Sequence, residues 1–271
     1  MSSVSVSVGD IVAEKYLIER LVTESAASRV YAARHVVLDQ LVAIKLANSV
    51  APEAANIADS SVSSSLRPST SVASLSPAFG VNDAFHNAAR AAARLQSAHV
   101  CRVLDIGTHA GTSFIVMEYL DGSQLAQELE LNGRLSWRDA FECVLQACDA
   151  LAEAHSVGIV HGDLQPTNLF WAVLPDGSRH IKVLGFGSAR SSSTASVSGS
   201  FGAVRASGGV GGGVTTPAYL APEQLDSTQT ADERTDIWAL AIVLYELVSG
   251  RPPFQGASLP AIVSAVLTLP P

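Results

Sequence analysis

Apolar and polar residues alternate in several short stretches of the first 120 residues. The alternation runs through KYLIERLV (residues 15–22), RVYAARHVV (29–37) and LVAIKLA (41–47). A period of two is typical of strands with one buried face, so three strands are expected here. Residues 100–120 have the pattern of two further strands around a turn, and residues 83–98 are rich in helix-forming residues. The N-terminal part is therefore predicted to be a sheet with one helix.

The pattern changes after residue 121, where helical periods replace the alternation. Residues 136–158 predict a long amphipathic helix that ends at Gly158, and residues 235–250 are apolar on nearly every side. A helix without a polar face is expected to be buried. The chain is thus predicted to have an α+β fold, with a strand-rich N-terminal lobe and a mostly helical C-terminal lobe.

Two segments carry no sustained apolar period. Residues 49–80 are rich in Ser, Ala and Pro, and residues 190–214 are rich in Ser and Gly. Both are predicted to be insertions in surface loops, because lengthening such loops costs little entropy. Their serines are also candidate phosphorylation sites, although a solvated linker is the favoured interpretation.

Composition narrows the possible partners and compartments. The net charge of −8 argues against nucleic acid or an anionic membrane as a main partner. The three cysteines, Cys101, Cys143 and Cys148, are too few and too irregular for a disulfide framework, so core packing is expected for the last two. The N-terminus has neither a signal peptide nor a long apolar span, which predicts a cytoplasmic protein.

Three places along the chain suggest chemistry. Lys45 stands in the middle of an apolar strand, where a charge must face a cleft or a partner unless it reaches solvent. HGDLQPTN (residues 161–168) places Asp163 and Asn168 on a loop after the long helix, where an acid can take a proton and an amide oxygen can bind a metal. In IKVLGFGSAR (181–190) an apolar strand ends in a tight turn, a usual place for a ligand-binding acid, but the turn holds Gly185.

The order of these motifs resembles a bacterial Ser/Thr protein kinase domain of the eukaryotic-like type. The resemblance runs from about Tyr16 to Phe254 and rests on six elements in strict order: the VAIK lysine, MEYL (117–120), HGDLQPTN, LGFG (184–187), TPAYLAPE (216–223) and DIWALAIVLYELVSGRPPF (236–254). It implies an N-lobe over residues 10–120 that contains the 49–80 insertion. It also implies a C-lobe over 121–271 whose Ser/Gly-rich loop, 190–214, is the activation segment and which lacks the last helices of the family.

The resemblance also assigns roles to residues. It makes Lys45, Asp163 and Asn168 the catalytic candidates, with Lys45 on the phosphates and Asn168 on a metal ion. It places an adenine pocket between Val30, Ala43, Met117, Phe170 and the hinge backbone from Glu118 to Leu120. For Val30 and Ala43, a pocket wall and a plain core position are equally open interpretations. It further implies an interlobe stack of His161 on Phe186, and an Asp236 carboxylate that holds the catalytic loop.

Several family residues of the phosphate site are replaced. The three glycine positions of the phosphate-covering loop hold Thr23, Ser25 and Ser28, and Glu24 adds negative charge there. Ala88 stands where the glutamate partner of Lys45 is expected. Asp83, five residues earlier, is a poor substitute without a shift in register.

The catalytic loop and the following strand depart as well. Gly162 replaces the arginine that senses activation-loop phosphate, and Gln165 replaces a lysine near the transferred phosphoryl group. Gly185 replaces the metal-binding aspartate of the DFG motif, which leaves Asn168 as the only family metal ligand. A neutral amide alone is a poor Mg²⁺ site, because Mg²⁺ is usually held by carboxylates and phosphate oxygens.

These observations favour a degenerate kinase domain, a pseudokinase that acts as a signalling or binding module. ATP is a possible ligand without metal, Mg²⁺ is expected to bind poorly, and the expected partners are other signalling proteins or kinases. The alternative is a weakly active Ser/Thr kinase that transfers the ATP γ-phosphate to protein using Lys45, Asp163 and Asn168. A small-molecule phosphotransferase is a third, less favoured interpretation, because those enzymes also need the missing metal-binding acid.

Overall fold

The structure, a computed structural model, describes residues 6–25, 28–48, 78–186, 217–225 and 231–269, with backbone only for residues 78–84. Most of residues 49–80 and all of 190–214 lie outside these ranges, so the predicted insertions are not part of this description.

A six-stranded antiparallel sheet forms the N-terminal lobe. Its strands are β1 (Ile11–Val12), β2 (Tyr16–Glu24), β3 (Ser28–His35), β4 (Gln40–Ala47), β5 (Val103–His109) and β6 (Thr112–Glu118), in the order β1-β2-β3-β4-β6-β5. The sequence pattern predicted β2 to β6 correctly, and β1 was not predicted. Every second residue faces a core that includes Tyr16, Ile18, Tyr31, Val42 and Ile44.

One helix, α1 (Ala78–Ala92), packs on this sheet. It starts inside the segment predicted to be an insertion and ends before residue 98, so both predicted limits are wrong. The last turn is closed by the bond from the Leu95 amide to the Ala92 carbonyl. The next two amides, of Gln96 and Ser97, donate to the Glu153 carboxylate at 2.8 and 2.6 Å. The chain leaves the helix because this carboxylate takes amides that a longer helix would have used.

The C-terminal lobe combines a small sheet with helices. The sheet contains β7 (Gly122–Gln124), β8 (Leu169–Val173) and β9 (Arg179–Val183), and helices α2 (Leu125–Asn132) and α3 (Trp137–Ser156) pack beside it. The Ser136 hydroxyl caps α3 by accepting from the Asp139 amide. The prediction for residues 136–158 is confirmed, and Cys143 and Cys148 contact the core as expected.

Helix α5 (Glu233–Ser249) runs through this lobe after the short α4 (Pro222–Leu225), and α6 (Leu259–Thr268) follows it. Asp232 caps the start of α5, and Gly250 ends α5 in the left-handed conformation. The helix is confirmed, but burial on all sides is not, because Ile237 and Tyr245 are about half exposed. No helix within the described ranges has both the length and the apolar character needed to cross a bilayer.

Candidate functional site

Lys45 lies inside the protein. It stands on β4 opposite Val30 of β3 and Ile115 of β6, and only 6% of its surface is exposed. The alternative in which its side chain reaches solvent is therefore wrong. Burial lowers the pKa of Lys45 to about 7, and the opposing attraction comes first from Asp163.

Helix α1 presents Ala88 at the position of the expected glutamate. The Ala88 side chain is buried and carries no charge. The alternative partner, Asp83, lies where only the backbone is described. Among the described side chains, the carboxylate that attracts Lys45 is therefore that of Asp163, across the cleft rather than on the helix.

The loop that carries Asp163 is held from beneath by Asp236. The fully buried Asp236 carboxylate accepts hydrogen bonds from the His161 and Gly162 amides, both at 2.8 Å, and contacts His155 Nε2 at 2.8 Å. Gly162 has φ +74°, in the left-handed region that favours glycine. The expected role of Asp236 is thus present in the geometry, and the loop does not depend on an arginine at residue 162.

Asp163 and Asn168 lie side by side at the end of this loop. The Asn168 amide nitrogen donates to the Asp163 carbonyl at 2.6 Å and to its carboxylate at 3.2 Å. Gln165 Nε2 donates to the other carboxylate oxygen at 3.3 Å. All three side chains are buried. The neutral Gln165 side chain therefore donates to the Asp163 carboxylate at a position where the resemblance implies a positively charged lysine.

Gly185 lies next to this pair. The Leu184 amide donates to the Asn168 carbonyl at 2.8 Å, which ties the end of β9 to the catalytic loop. His161 contacts the Leu184 carbonyl through Nε2, and its ring meets Phe186 edge-on with centroids 4.9 Å apart. The interlobe stack is therefore formed, and Gly185, which has no side chain, lies between Leu184 and Phe186 of these contacts.

The candidate donors for a magnesium ion at this point are the side chains of Asp163 and Asn168. Mg²⁺ favours carboxylate oxygens together with phosphate oxygens. Gly185 offers no carboxylate, and the Asp163 carboxylate already accepts from two amides. No group of three or more His, Cys, Asp or Glu side chains suited to a metal ion occurs in the part of the chain that is described.

The described residues at the turn between β2 and β3 are hydrogen-bonded to one another and to Asn48. The Ser25 amide donates to the Ser28 carbonyl at 2.9 Å, and the Ser28 amide donates to the Ser25 hydroxyl at 3.1 Å. Asn48 Nδ2 donates to the Ser25 carbonyl at 2.8 Å. The amides at two former glycine positions are thus already used. Glu24 pairs with Arg29 at 2.8 Å, so its charge is offset by a partner that the sequence analysis did not consider.

The candidate adenine site is lined by partly exposed apolar residues. Ala43 of β4 pairs with Met117 of β6. Phe170 lies on β8 and pairs with Gln124 of β7, which follows the hinge in the chain. Val30, Ala43, Met117, Phe170 and the hinge residues Glu118 and Leu120 are all half-buried. Partial exposure suits the wall of a cleft better than a sealed core, and this makes the site compatible with a flat apolar ring.

Sequence reasoning missed two contacts near the site. Lys182 Nζ donates to the Glu118 carboxylate at 2.8 Å, and Gln224 Nε2 donates to the Gly162 carbonyl at 2.8 Å. A signal for Lys182 was present, because it also lies in an apolar strand, as Lys45 does. Two concave pockets on the C-terminal lobe lie away from these residues; one of them is lined by Asp139, Glu142, Cys143, Gln146, Trp171 and Arg179.

Comparisons with known proteins match the chain to kinases. The protein kinase domain profile matches residues 80–267. The chain is 33% identical over 171 residues to the probable serine/threonine-protein kinase pknA2 of Bifidobacterium longum, covering 63% of this chain and 21% of that protein. It is 30% identical over 266 residues to the serine/threonine-protein kinase pkn3 of Myxococcus xanthus, covering 97% and 43%. It is 35% identical over 178 residues to the serine/threonine-protein kinase PknB of Mycobacterium leprae, covering 64% and 26%.

The chain therefore spans less than half the length of these relatives. The profile match covers well over half of the chain and includes the catalytic loop, the LGFG segment and helix α5. The predicted α+β kinase fold is confirmed by this match together with the strand-rich and helical lobes. The chain belongs to the protein kinase domain family.

Proposed function

We propose that this kinase domain is a pseudokinase that binds an adenine nucleotide without metal and does not transfer its phosphate. One observation carries the proposal. Asp163 and Asn168 are held together beside Gly185, the position where the family carries a metal-binding carboxylate and this chain has no side chain.

Phosphoryl transfer depends chiefly on positioning and on neutralisation of the phosphate charge. Loss of one preorganised electrostatic group typically costs about 3–4 kcal/mol, or roughly 10²–10³ in rate. Gly185, Ala88 and Gln165 each replace such a group, and the β2–β3 hairpin has committed two of its amides internally. These losses are not additive, but together they are incompatible with an ordinary kinase rate.

Nucleotide binding is supported by the parts that remain. The half-buried apolar walls suit an adenine ring, and the hinge backbone is adjacent to them. Lys45 is a single buried amine near the catalytic loop. Because burial lowers its pKa to about 7, a phosphate group beside it favours the protonated form, and binding near pH 8 is expected to take up a proton.

The second candidate is a weakly active Ser/Thr kinase. It is favoured by the clamp of Asp236 on the catalytic loop, which presents Asp163 although the other groups are lost. ATP would be the phosphate donor and a protein hydroxyl the acceptor, with Asp163 taking the proton of that hydroxyl.

We also propose that the domain binds other signalling proteins or kinases in the cytoplasm, the compartment that supplies ATP. Exposed apolar side chains support a protein partner. Trp137, Phe141 and Leu145 follow one face of α3 at intervals of four residues, and they are between half and about 70% exposed. The activities of the longer relatives come to this chain only as part of this proposal.

A phosphotransfer assay tests the proposal. The purified chain is incubated with γ-labelled ATP and either Mg²⁺ or Mn²⁺, with itself and a general protein substrate as acceptors. We expect no incorporation above that of Asp163→Asn. Incorporation by the natural sequence that Asp163→Asn abolishes would overturn the pseudokinase and establish the weak kinase.

A further inference from the structure

A largely buried ion pair links the hinge to β9. Lys182 Nζ and Glu118 Oε1 are 2.8 Å apart, and their side chains are 14% and 19% exposed. Among the described pairs of a lysine or arginine with a carboxylate, it is the only one in which both side chains are less than 20% exposed. Taking two charges out of water is costly, so such a pair calls for an explanation beyond surface electrostatics.

The pair joins two lobes at the hinge. Glu118 ends β6 and begins the hinge, whereas Lys182 belongs to β9 of the C-terminal lobe. The same Glu118 oxygen also accepts from the Arg102 amide at 2.9 Å, and the Glu118 amide donates to the Arg102 carbonyl at 3.0 Å. Glu118 is therefore bound by its side chain and its backbone, which restricts the direction in which the hinge leaves β6.

The segment before β5 ties this hinge to β9 a second time. The Cys101 amide donates to the Val183 carbonyl at 3.0 Å, and the Val183 amide donates to the His99 carbonyl at 2.7 Å. His99 Nδ1 lies 3.0 Å from the Ile181 carbonyl. The ion pair thus closes a continuous set of contacts between the hinge and the strand that leads to Gly185.

Lys182 is also linked to the candidate adenine site through the sheet. It pairs across the sheet with Phe170, a candidate wall residue, so Glu118 belongs to the hinge and Lys182 is linked to Phe170. The spacing between the hinge and Phe170 determines whether a flat ring fits. Neither charged group needs to touch the nucleotide for this effect.

We propose that Glu118 and Lys182 are positioning residues of the nucleotide site, which hold the hinge at a fixed distance from Phe170. This inference rests on the proposed nucleotide binding. The pair links the lobes at the hinge, whereas the Lys45–glutamate pair is absent because residue 88 is alanine. It acts on the adenine end of the ligand and not on the phosphates.

The test compares adenosine with ATP, both without metal. Binding constants are measured for the natural sequence and for Lys182→Met, Lys182→Arg and Glu118→Gln. Lys15→Met is the matched control, because Lys15 pairs with Asp105 at 3.6 Å on the surface, where its side chain is 56% exposed. Thermal melting of each variant confirms that it is folded.

Lys182→Met is expected to weaken adenosine and ATP by the same factor, about tenfold, in the range for residues that act on a site without touching the ligand. Glu118→Gln, which keeps an acceptor for the Arg102 amide, is expected to lose less. Lys182→Arg and Lys15→Met are expected to bind as the natural sequence does. Lys45→Met provides the contrast, because it is expected to weaken ATP and leave adenosine unchanged.

The possible failures are distinguishable. If the natural sequence binds neither ligand, the proposed nucleotide binding is wrong and the positioning role falls with it. If the natural sequence binds both ligands, and Lys182→Met and Glu118→Gln bind them as tightly as the natural sequence does, only the positioning role is overturned. A loss confined to ATP in Lys182→Met also overturns it, because the lysine would then act on the phosphates. If Lys182→Met does not fold, Glu118→Gln alone decides between these outcomes.

Discussion

The burial of Lys45 predicts a specific dependence of stability on pH. Burial lowers its pKa from the usual value of 10.5 to about 7 in the folded protein. Between these two values the unfolded chain holds a proton on Lys45 that the folded protein has released. Because the unfolded state binds more protons in this range, the free energy of unfolding rises with pH. The penalty is present in full below pH 7 and is relieved as the pH rises.

The magnitude follows from the size of the shift. One proton of difference changes the free energy of unfolding by about 1.4 kcal/mol per pH unit. From pH 7.5 to 9.5 the difference approaches one proton, so Lys45 contributes a rise of roughly 2–3 kcal/mol over this interval. Lys45→Met keeps an unbranched apolar side chain of similar length and removes the titrating group.

The assay is urea unfolding of both proteins at pH 7.5, 8.5 and 9.5. Other groups contribute to each curve; for example, burial raises the pKa of Cys143 to about 12, which lowers stability at alkaline pH. These contributions are shared and cancel in the difference between the two proteins. We expect the free energy of unfolding of the natural sequence to rise relative to that of Lys45→Met. If the difference in the free energy of unfolding between the two proteins is the same at all three pH values, Lys45 remains charged in the folded protein and the prediction is wrong.

Two further predictions follow from the catalytic loop and the metal position. Asp236→Ala removes the acceptor of the buried His161 and Gly162 amides, and should lower the free energy of unfolding by about 2–5 kcal/mol, measured by urea unfolding. Asp149→Ala on the exposed face of α3 is the control, and an equal effect of the two changes would contradict the clamp. Gly185→Asp with Ala88→Glu should create Mg²⁺-dependent ATP binding, detectable by calorimetry. The φ of +84° at residue 185 costs the aspartate roughly 1–2 kcal/mol. Unchanged binding in the double variant would mean that these two positions do not face the phosphates.

The sequence predicted the fold more completely than the site. A period of two identified the strands around Lys45 and a period of 3.6 identified α3, because each buries a regular face, and a nearly continuous apolar run identified α5. The C-terminal end of α1 was missed, because it depends on Glu153 of a distant helix accepting from two amides. A local pattern contains no information about such a contact.

In the candidate site too, some features could be predicted from the sequence and others depend on contacts between distant residues. Motif order located Asp163, Asn168 and Gly185, and their proximity is a consequence of the loop geometry. The ion pair of Lys182 with Glu118 joins residues 64 positions apart, and the Ser25–Ser28 bonds depend on the shape of one hairpin. Neither follows from spacing alone, although a lysine within an apolar strand should prompt a search for its partner. Glu24 illustrates the opposite error, because its charge was considered without its neighbour Arg29.

Binding of an adenine nucleotide without a metal ion can be measured by calorimetric titration of ATP into the protein, once with a chelator and once with excess Mg²⁺. We expect measurable binding under both conditions, with dissociation constants that agree within a factor of about two, which is well under the 1.4 kcal/mol of a tenfold difference. Binding only in the presence of Mg²⁺, or no binding under either condition, would show that the cleft is not a metal-independent nucleotide site.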